Sequence, residues 1–402
     1  SELGAVLGYE FEETPLILLP HGGAEERPGD WWEAIDQCVR RLLDRNFAPR
    51  DQVGAVVCTG QWSGTVAVES EGRPLMNAIT WMDSRGQSYA KKFTGGLLKI
   101  EGYGVGKILK WLRKTGGIPS HSGKDSISHI LYIQHELPDI YEQTACFLEP
   151  KDYLNLCLTG ECAASYDSMA LHWITDNRDI NNIDYDDGLI RAFGIDRGKL
   201  PELKGATDIL GSLKPELAER WGLSKEVQVV MGTPDVHSAT IGSGAVRDFD
   251  THLYVGTSSW ITCHVPRKKT DIIHQIAALP AAIPGRYMLT NEQESAGSCL
   301  TFARDILLGG EQNYRELNDL AAKATAGSDK VIFTPWLYGE RAPVSDRTIR
   351  GGFHNLCLRT QRESLVRSVF EGVAYNSKWL LNYVEKFIGR EVDKVTMVGG
   401  GA

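Results

Sequence analysis

The sequence predicts a two-lobed α/β protein. Three observations lead there. A chain of 402 residues is too long for one ordinary hydrophobic core. Short apolar runs of strand length alternate with stretches of helical periodicity along its whole length. The pattern also starts afresh near residue 240, where a strand, turn and helix give way to a new hairpin.

Taken in order, residues 6–11 alternate as a strand, and residues 15–19 form a second extended run. A helix begins at Asp30, which can cap it, with Trp31, Ala34, Ile35, Cys38, Leu42 and Leu43 on one face. Strands follow at 53–58, 65–68 and 78–81. The first ends in Thr59-Gly60-Gln61-Trp62-Ser63-Gly64 and the last in Met82-Asp83-Ser84-Arg85. Residues 94–125, rich in glycine and lysine, predict loops around one helix at 108–113. Further helices are expected at 128–136, 150–157, 187–193 and 215–221. A strand at 227–231 then feeds Asp235.

Beyond the division come a hairpin at 251–264, helices at 293–308 and 314–324, and a strand at 331–334. The longest helix spans 362–387. Leu365, Val369, Val373, Leu380 and Val384 line its apolar face, which Phe370, Ala374 and Leu381 widen. A final strand at 394–398 runs into Gly399-Gly400-Gly401-Ala402. No short-period repeat is present.

The bulk composition, 42% hydrophobic and 24% charged, is that of a globular protein. A net charge of −9 without a lysine–arginine block argues against nucleic acid as a partner. The eight cysteines (Cys38, Cys58, Cys146, Cys157, Cys162, Cys263, Cys299 and Cys357) are scattered without a C-x-x-C pair. They read as reduced thiols of a cytoplasmic protein. No apolar stretch approaches membrane-spanning length and no signal-peptide pattern opens the chain, so no membrane association is expected.

The most informative motif is Met231-Gly232-Thr233-Pro234-Asp235, a carboxylate at the exit of an apolar run. Downstream, a second apolar run opens into Gly256-Thr257-Ser258-Ser259. Phosphoryl transfer to an alcohol needs both parts: a carboxylate to take the hydroxyl proton, and a small-residue turn whose N–H groups cradle phosphates. Each has a plainer alternative. An Asp between strand and helix is often an N-cap, and Gly-Thr-Ser also makes an ordinary hairpin turn. Two glycine–lysine segments fail as P-loops. Glu101 and Ile108 occupy required positions around Gly106-Lys107, and Ile118 and Asp125 do so around Gly123-Lys124.

Gly399, Gly400 and Gly401 can let backbone lie flat against a nucleotide, or simply turn into a helix. Gln61, Trp62 and Ser63, with Asp83 and Arg85, suggest a polyol site, where an aromatic face meets CH groups and polar groups meet hydroxyls. A buried tryptophan and a surface ion pair would explain the same residues. The histidines show no metal spacing, and no metal ligand is assigned. His237, two residues after Asp235, could line the cleft, and a core or solvated role is the plainer reading.

In order and spacing these motifs resemble the FGGY carbohydrate kinases, most closely the xylulokinase-like branch, from about residue 30 onward. The similar segments are Gly60-Gln61-Trp62-Ser63-Gly64, Trp81-Met82-Asp83-Ser84-Arg85 and Pro150-Lys151-Asp152-Tyr153-Leu154. Asp235, Gly256-Thr257-Ser258, Gly339-Glu340-Arg341-Ala342-Pro343, Phe370-Glu371-Gly372-Val373 and the terminal glycines complete the set.

The resemblance implies two actin-like (ribonuclease-H-like) lobes around a central cleft. Residues 1–240 would form the N-terminal, sugar-binding FGGY lobe and residues 241–402 the C-terminal, ATP-binding one. Asp235 matches the catalytic base. Gly256, Thr257 and Ser258 match a phosphate loop, and Gly399, Gly400 and Gly401 match the adenosine motif. Gln61, Trp62, Ser63, Asp83 and Val236 fall where relatives hold the sugar. ATP and Mg2+ are the implied cofactors, a sugar or polyol the implied partner, and a homodimer a compatible assembly.

Departures from the family pattern narrow the expectation. The family's first phosphate loop, Asp-x-Gly-Thr-Ser, and the segment beyond the terminal glycines are not in the sequence, so both termini are expected to be truncated. Xylulokinases commonly carry Met-His at Trp62-Ser63 and Asn at Val236, so D-xylulose itself is a poor fit. His129 replaces a lysine in the family's first signature, and Ser364 departs from the second. The expected activity is ATP-dependent phosphorylation of a primary hydroxyl of a ketose or related polyol. The alternative is a non-catalytic sugar- or nucleotide-binding member of the same fold.

Overall fold

In a computed structural model the structure describes residues 4–100, 102–310 and 313–401. Ala402 and Glu101 therefore lie outside the described residues. The chain forms two compact α/β units. The first comprises Ser1–Ser238 with Pro280–Gly285, and the second Ala239–Leu279 with Arg286–Ala402.

In the first unit, strand Ile17–Leu19 pairs antiparallel with Gly23–Glu26, which pairs antiparallel with Ala78–Ile79. A bridge from Thr65 to Ile79 continues to Val66–Val68, itself antiparallel to Cys146–Leu148. A second sheet sets Gln228–Val230 between Ala55–Val57, which is parallel to it, and Ile209–Ser212, which is antiparallel. The parallel pair matters most. It brings the turn at Thr59–Gly64 and the segment leading to Asp235 out at the same end of the sheet.

Helix Pro150–Thr159 runs beneath that end, and eight of its ten residues are buried. Pro150 at its start suits the N1 position, and Gly160 ends it in the left-handed conformation (φ 87°). Its Leu154 and Leu156 join one core cluster with Val66, Val68 and Leu148. Leu158 joins another with Leu217, Trp221 and Val229.

In the second unit, hairpin Thr251–Val255/Ser259–Thr262 carries Val395–Val398 parallel to its first strand. A further four-stranded sheet is made of His264–Val265, Tyr287–Thr290, Ile276–Pro280 and Thr270–Asp271. Helix Arg362–Ile388 packs on Ile332–Thr334 closely enough that a Cβ on Gly372 would lie 2.4 Å from the Phe333 carbonyl oxygen.

Several expectations need correction. Residues 6–11 are not a strand. The first helix is Pro28–Asp44, with Pro28 at its start, so Asp30 sits in the first turn and does not cap it. The helix expected at 293–308 is the shorter Gly297–Phe302, followed by a wider turn at Ala303–Leu307. On the long helix the buried stripe includes Val366, Gly372, Asn376 and Phe387, while Ala374 is exposed. Small and polar residues share that face, which apolar counting misses. Cys146 and Cys162 are joined as a disulfide, correcting the expectation of eight reduced thiols. The other six are free.

Gly232, at φ 71°, turns the chain between strand Gln228–Val230 and Asp235. A Cβ there would lie 2.1 Å from the Cys58 carbonyl oxygen. Gly232→Ala is expected to lower stability by at least about 2 kcal/mol, from the left-handed strain and the clash together. Urea unfolding of the two proteins measures the difference.

Candidate active site

Asp235 is the first residue of helix Asp235–Gly242, and its carboxyl reaches the surface of the first unit. Its N–H donates to the Gly60 carbonyl (2.8 Å), locking it to the turn that leaves the parallel neighbour strand. One carboxylate oxygen accepts the Val236 N–H (2.8 Å). Crowding by surrounding protein raises its pKa above the ordinary aspartate value, although N–H groups of Val236, Trp62 and Asp235 itself pull the other way. With its pKa raised, this carboxylate is a better proton acceptor than a free aspartate.

The turn supplies the neighbouring groups. Gln61 and Trp62 are half-buried, and Gln61 donates to Glu26 (3.2 Å). The Trp62 indole N–H donates to the Ser168 carbonyl (3.0 Å), and its ring meets His237 edge-on with centroids 5.0 Å apart. Burial lowers the His237 pKa, so this ring is neutral. Its Nε2 lies 3.2 Å from the Pro280 carbonyl, which assigns the proton to that nitrogen. Val236 is half-buried beside Asp235.

Two of the residues expected to meet the sugar, Ser63 and Asp83, are buried. Ser63 is buried and donates its hydroxyl to the Lys124 carbonyl (2.9 Å). Asp83 is 1% exposed. Its oxygens accept N–H groups from Ala24 (2.9 Å) and Arg85 (2.8 Å), and the Arg85 guanidinium Nε as well (2.8 Å). Arg85 also reaches Glu25 at 2.6 Å. Asp83 therefore ties the Trp81–Arg85 turn to the strand Gly23–Glu26, and its buried carboxylate is engaged on both oxygens.

A buried polar cluster beneath Asp235 was not legible as part of the site. The Met231 carbonyl accepts Asn155 (2.7 Å) and Lys151 (3.2 Å). Lys151 also donates to the Asp152 carboxylate, and Thr233 donates to Asp167. Burial pushes Asp152 up to about 6, while Lys151 pulls it down. The only sequence signal was Lys151-Asp152, an ion pair at the start of an otherwise apolar helix.

In the second unit the phosphate-loop and glycine motifs come together. They follow the parallel strands Thr251–Val255 and Val395–Val398, and the Gly401 N–H donates to the Val255 carbonyl (3.0 Å). The loop is braced by the Gly297 N–H on the Gly256 carbonyl (2.7 Å) and by the Ala296 N–H on Thr257 (2.9 Å). Among the described residues, the Thr257 and Ser258 N–H groups have no hydrogen-bond partner. Gly399 (φ 108°) and Gly400 are exposed, and a Cβ on Gly400 would meet nothing within 4 Å. Free N–H groups beside bare backbone fit a nucleotide with its phosphates.

Comparison with known proteins decides the family. The FGGY family of carbohydrate kinases matches by its N-terminal domain over residues 1–242 and by its C-terminal domain over residues 253–402. The chain belongs to this family of carbohydrate kinases. The xylulose kinase of Escherichia coli (strain K12) is 30% identical over 409 residues, covering 100% of this chain and 78% of that protein. The gluconokinase of Bacillus subtilis (strain 168) is 25% identical, covering 100% and 77%. Among solved structures, the ligand-bound xylulose kinase from Lactobacillus acidophilus superposes with a TM-score of 0.84 at 25% identity. That match covers 97% of this chain and 75% of that one.

This FGGY kinase is thus a phosphotransferase, and kinases of its family use ATP. Among its described residues no helix is long and apolar enough to cross a membrane. Nor do three or more His, Cys, Asp or Glu side chains gather there as a metal site.

Lys151→Met tests the cluster under Asp235. It leaves Asp152 buried without its cation, so stability is expected to fall by about 3–5 kcal/mol. Thermal and urea unfolding at pH 7 provide the comparison.

Proposed function

We propose that this kinase transfers the terminal phosphoryl group of ATP to a primary hydroxyl of a ketose or related polyol, with Asp235 as the base. One observation carries the reading. Asp235 stands at the shared exit of two parallel strands, with its carboxylate accepting the Val236 N–H. Gln61 and Trp62 lie on the turn to which its own backbone is bonded. Asp235 accepts the hydroxyl proton as the oxygen attacks, or orients that hydroxyl if proton transfer comes late.

Bound ATP supplies the phosphoryl group. Thr257 and Ser258 are the residues whose N–H groups would hold its phosphates, with Gly399, Gly400 and Gly401 beside the nucleoside. Mg2+ accompanies ATP in this reading, held chiefly by the phosphates, and no side chain is assigned to it. Trp62, Ser63 and Val236 offer a sugar few free polar partners. The Trp62 N–H and the Ser63 hydroxyl are both engaged within the protein. An acceptor that lays an apolar CH face toward Trp62 suits that surface better than one needing polar partners there.

A coupled ADP-release screen across ketoses, aldoses and polyols identifies the acceptor. Asp235→Ala should then lower kcat by about 10²–10⁴-fold while ATP still binds. Turnover at the wild-type rate in that variant excludes the base assignment. The pH profile gives a second reading. The base works ionised and its pKa is raised, so kcat should fall on the acid side with a midpoint above that of an ordinary aspartate.

A further inference from the structure

Behind the Gly60–Gly64 turn lies a pocket of buried polar groups that the proposed chemistry does not use. Glu149, 1% exposed, stands immediately before helix Pro150–Thr159. One of its oxygens accepts the Gly64 N–H (3.0 Å), and the other accepts the Ser126 hydroxyl (2.6 Å) from the start of helix Ser126–Glu136. His172, also 1% exposed, brings Nδ1 to 3.6 Å from Glu149, and that nitrogen has no hydrogen-bond partner. His129 lies alongside, fully buried, with Nδ1 3.2 Å from the Thr65 hydroxyl.

The turn needs such a fixture. Ser63 holds a left-handed backbone (φ 65°), a conformation that costs a non-glycine residue about 1–2 kcal/mol and persists only where its surroundings impose it. On one side of the strained residue the Ser63 hydroxyl bonds the Lys124 carbonyl. On the other the Gly64 N–H bonds Glu149. The turn also presses on the helix start: a Cβ on Gly64 would lie 2.5 Å from Pro150 Cγ, and one on Gly60 3.3 Å from the Lys151 nitrogen. The far end of the same turn, the Gly60 carbonyl, receives the Asp235 N–H.

We propose that Glu149 is a positioning residue for the acceptor site, bridging Gly64 to Ser126 so that the Gln61–Trp62–Ser63 turn keeps the shape that presents Trp62 and meets Asp235. The charge state of the pocket agrees. Burial raises Glu149 well above the ordinary glutamate value, with Asp152 adding to the rise, while Ser126, Gly64 and Lys151 oppose it. Burial lowers His172 to about 3 and His129 to about 4. Burial thus disfavours charge on all three groups, and glutamine in place of Glu149 keeps the oxygen that the Gly64 N–H needs.

The kinetic test rests on the function proposed above, and a second measurement does not. Glu149→Ala should raise the KM of the best acceptor from the screen about tenfold, as expected for one buried hydrogen bond. The KM for ATP should stay within about twofold. Glu149→Gln, which keeps an oxygen for the Gly64 N–H, should restore most of the loss. Hydrogen exchange at residues 61–65 should quicken in Glu149→Ala and not in Glu149→Gln.

Should Glu149→Ala not fold, Ser126→Ala removes only the hydroxyl. It should raise the acceptor KM about threefold, and an unchanged KM there overturns the bridge. An acceptor KM and an exchange rate at 61–65 unchanged in Glu149→Ala also overturn it. So does a loss in Glu149→Gln as large as in the alanine variant. If the wild-type protein phosphorylates no acceptor, the functional reading fails while the exchange measurement still decides the bridge.

Discussion

The first unit depends on the parallel pairing of Gln228, Val229 and Val230 with Ala55, Val56 and Val57. Parallel strands end at the same edge, so this register alone sets two distant segments side by side, the turn at 59–64 and the approach to Asp235. The bond from the Asp235 N–H to the Gly60 carbonyl then fixes them against each other. A slip of one residue would displace one segment by about 3.3 Å and turn each side chain to the opposite face. No side-chain adjustment would recover the backbone bond between the Asp235 N–H and the Gly60 carbonyl.

That edge is stabilised by buried polar groups, for a definite reason. Leaving strand Gln228–Val230, the chain turns through Gly232 at positive φ, which takes the Met231 carbonyl out of any ladder. A buried carbonyl needs a donor, and Asn155 and Lys151 provide two. Their position on a helix buried on nearly every side makes the arrangement rigid, and the Lys151–Asp152 pair keeps the added charge balanced. Glu149, one residue before that helix, grips the other side of the edge through Gly64. One helix start therefore holds both arms of the site.

The sequence made much of this legible, in proportion to how local each signal is. Helices Asp187–Phe193 and Pro215–Trp221 fell where their periodicity and bounding residues set them, because cap and breaker chemistry acts within a few residues. Asp235, the Gly256 loop and the terminal glycines were found as motifs following apolar runs, which needs no tertiary knowledge. What stayed hidden was long-range. Asp83 and Arg85 read as polyol-site groups or a surface ion pair, and nothing local showed that the strand Gly23–Glu26 brings Ala24 and Glu25 to their turn. The bond from the Ser63 hydroxyl to the Lys124 carbonyl, 61 positions later, was equally out of reach. Cys146 and Cys162 join through folding, since their spacing signals nothing. The strand expected at 6–11 alternated correctly, yet alternation does not provide a neighbour to pair with.

Each unit applies the same device to a different chemical demand. In both, two parallel strands end in small-residue turns at one edge, Ala55–Val57 with Gln228–Val230 in the first unit and Thr251–Val255 with Val395–Val398 in the second. A base requires a crowded surface, because loss of solvation is what raises a carboxylate's pKa, and the first unit sets Trp62 and its neighbours close to Asp235. Phosphates require the opposite, N–H groups with no side chains in the way. The second unit accordingly carries glycine at 256, 399, 400 and 401, with the Thr257 and Ser258 N–H groups left without partners in the described structure. Exchanging the two surfaces would defeat both: a carboxylate among the glycines would repel phosphate, and a bare backbone around Asp235 would leave it an ordinary, weakly basic aspartate.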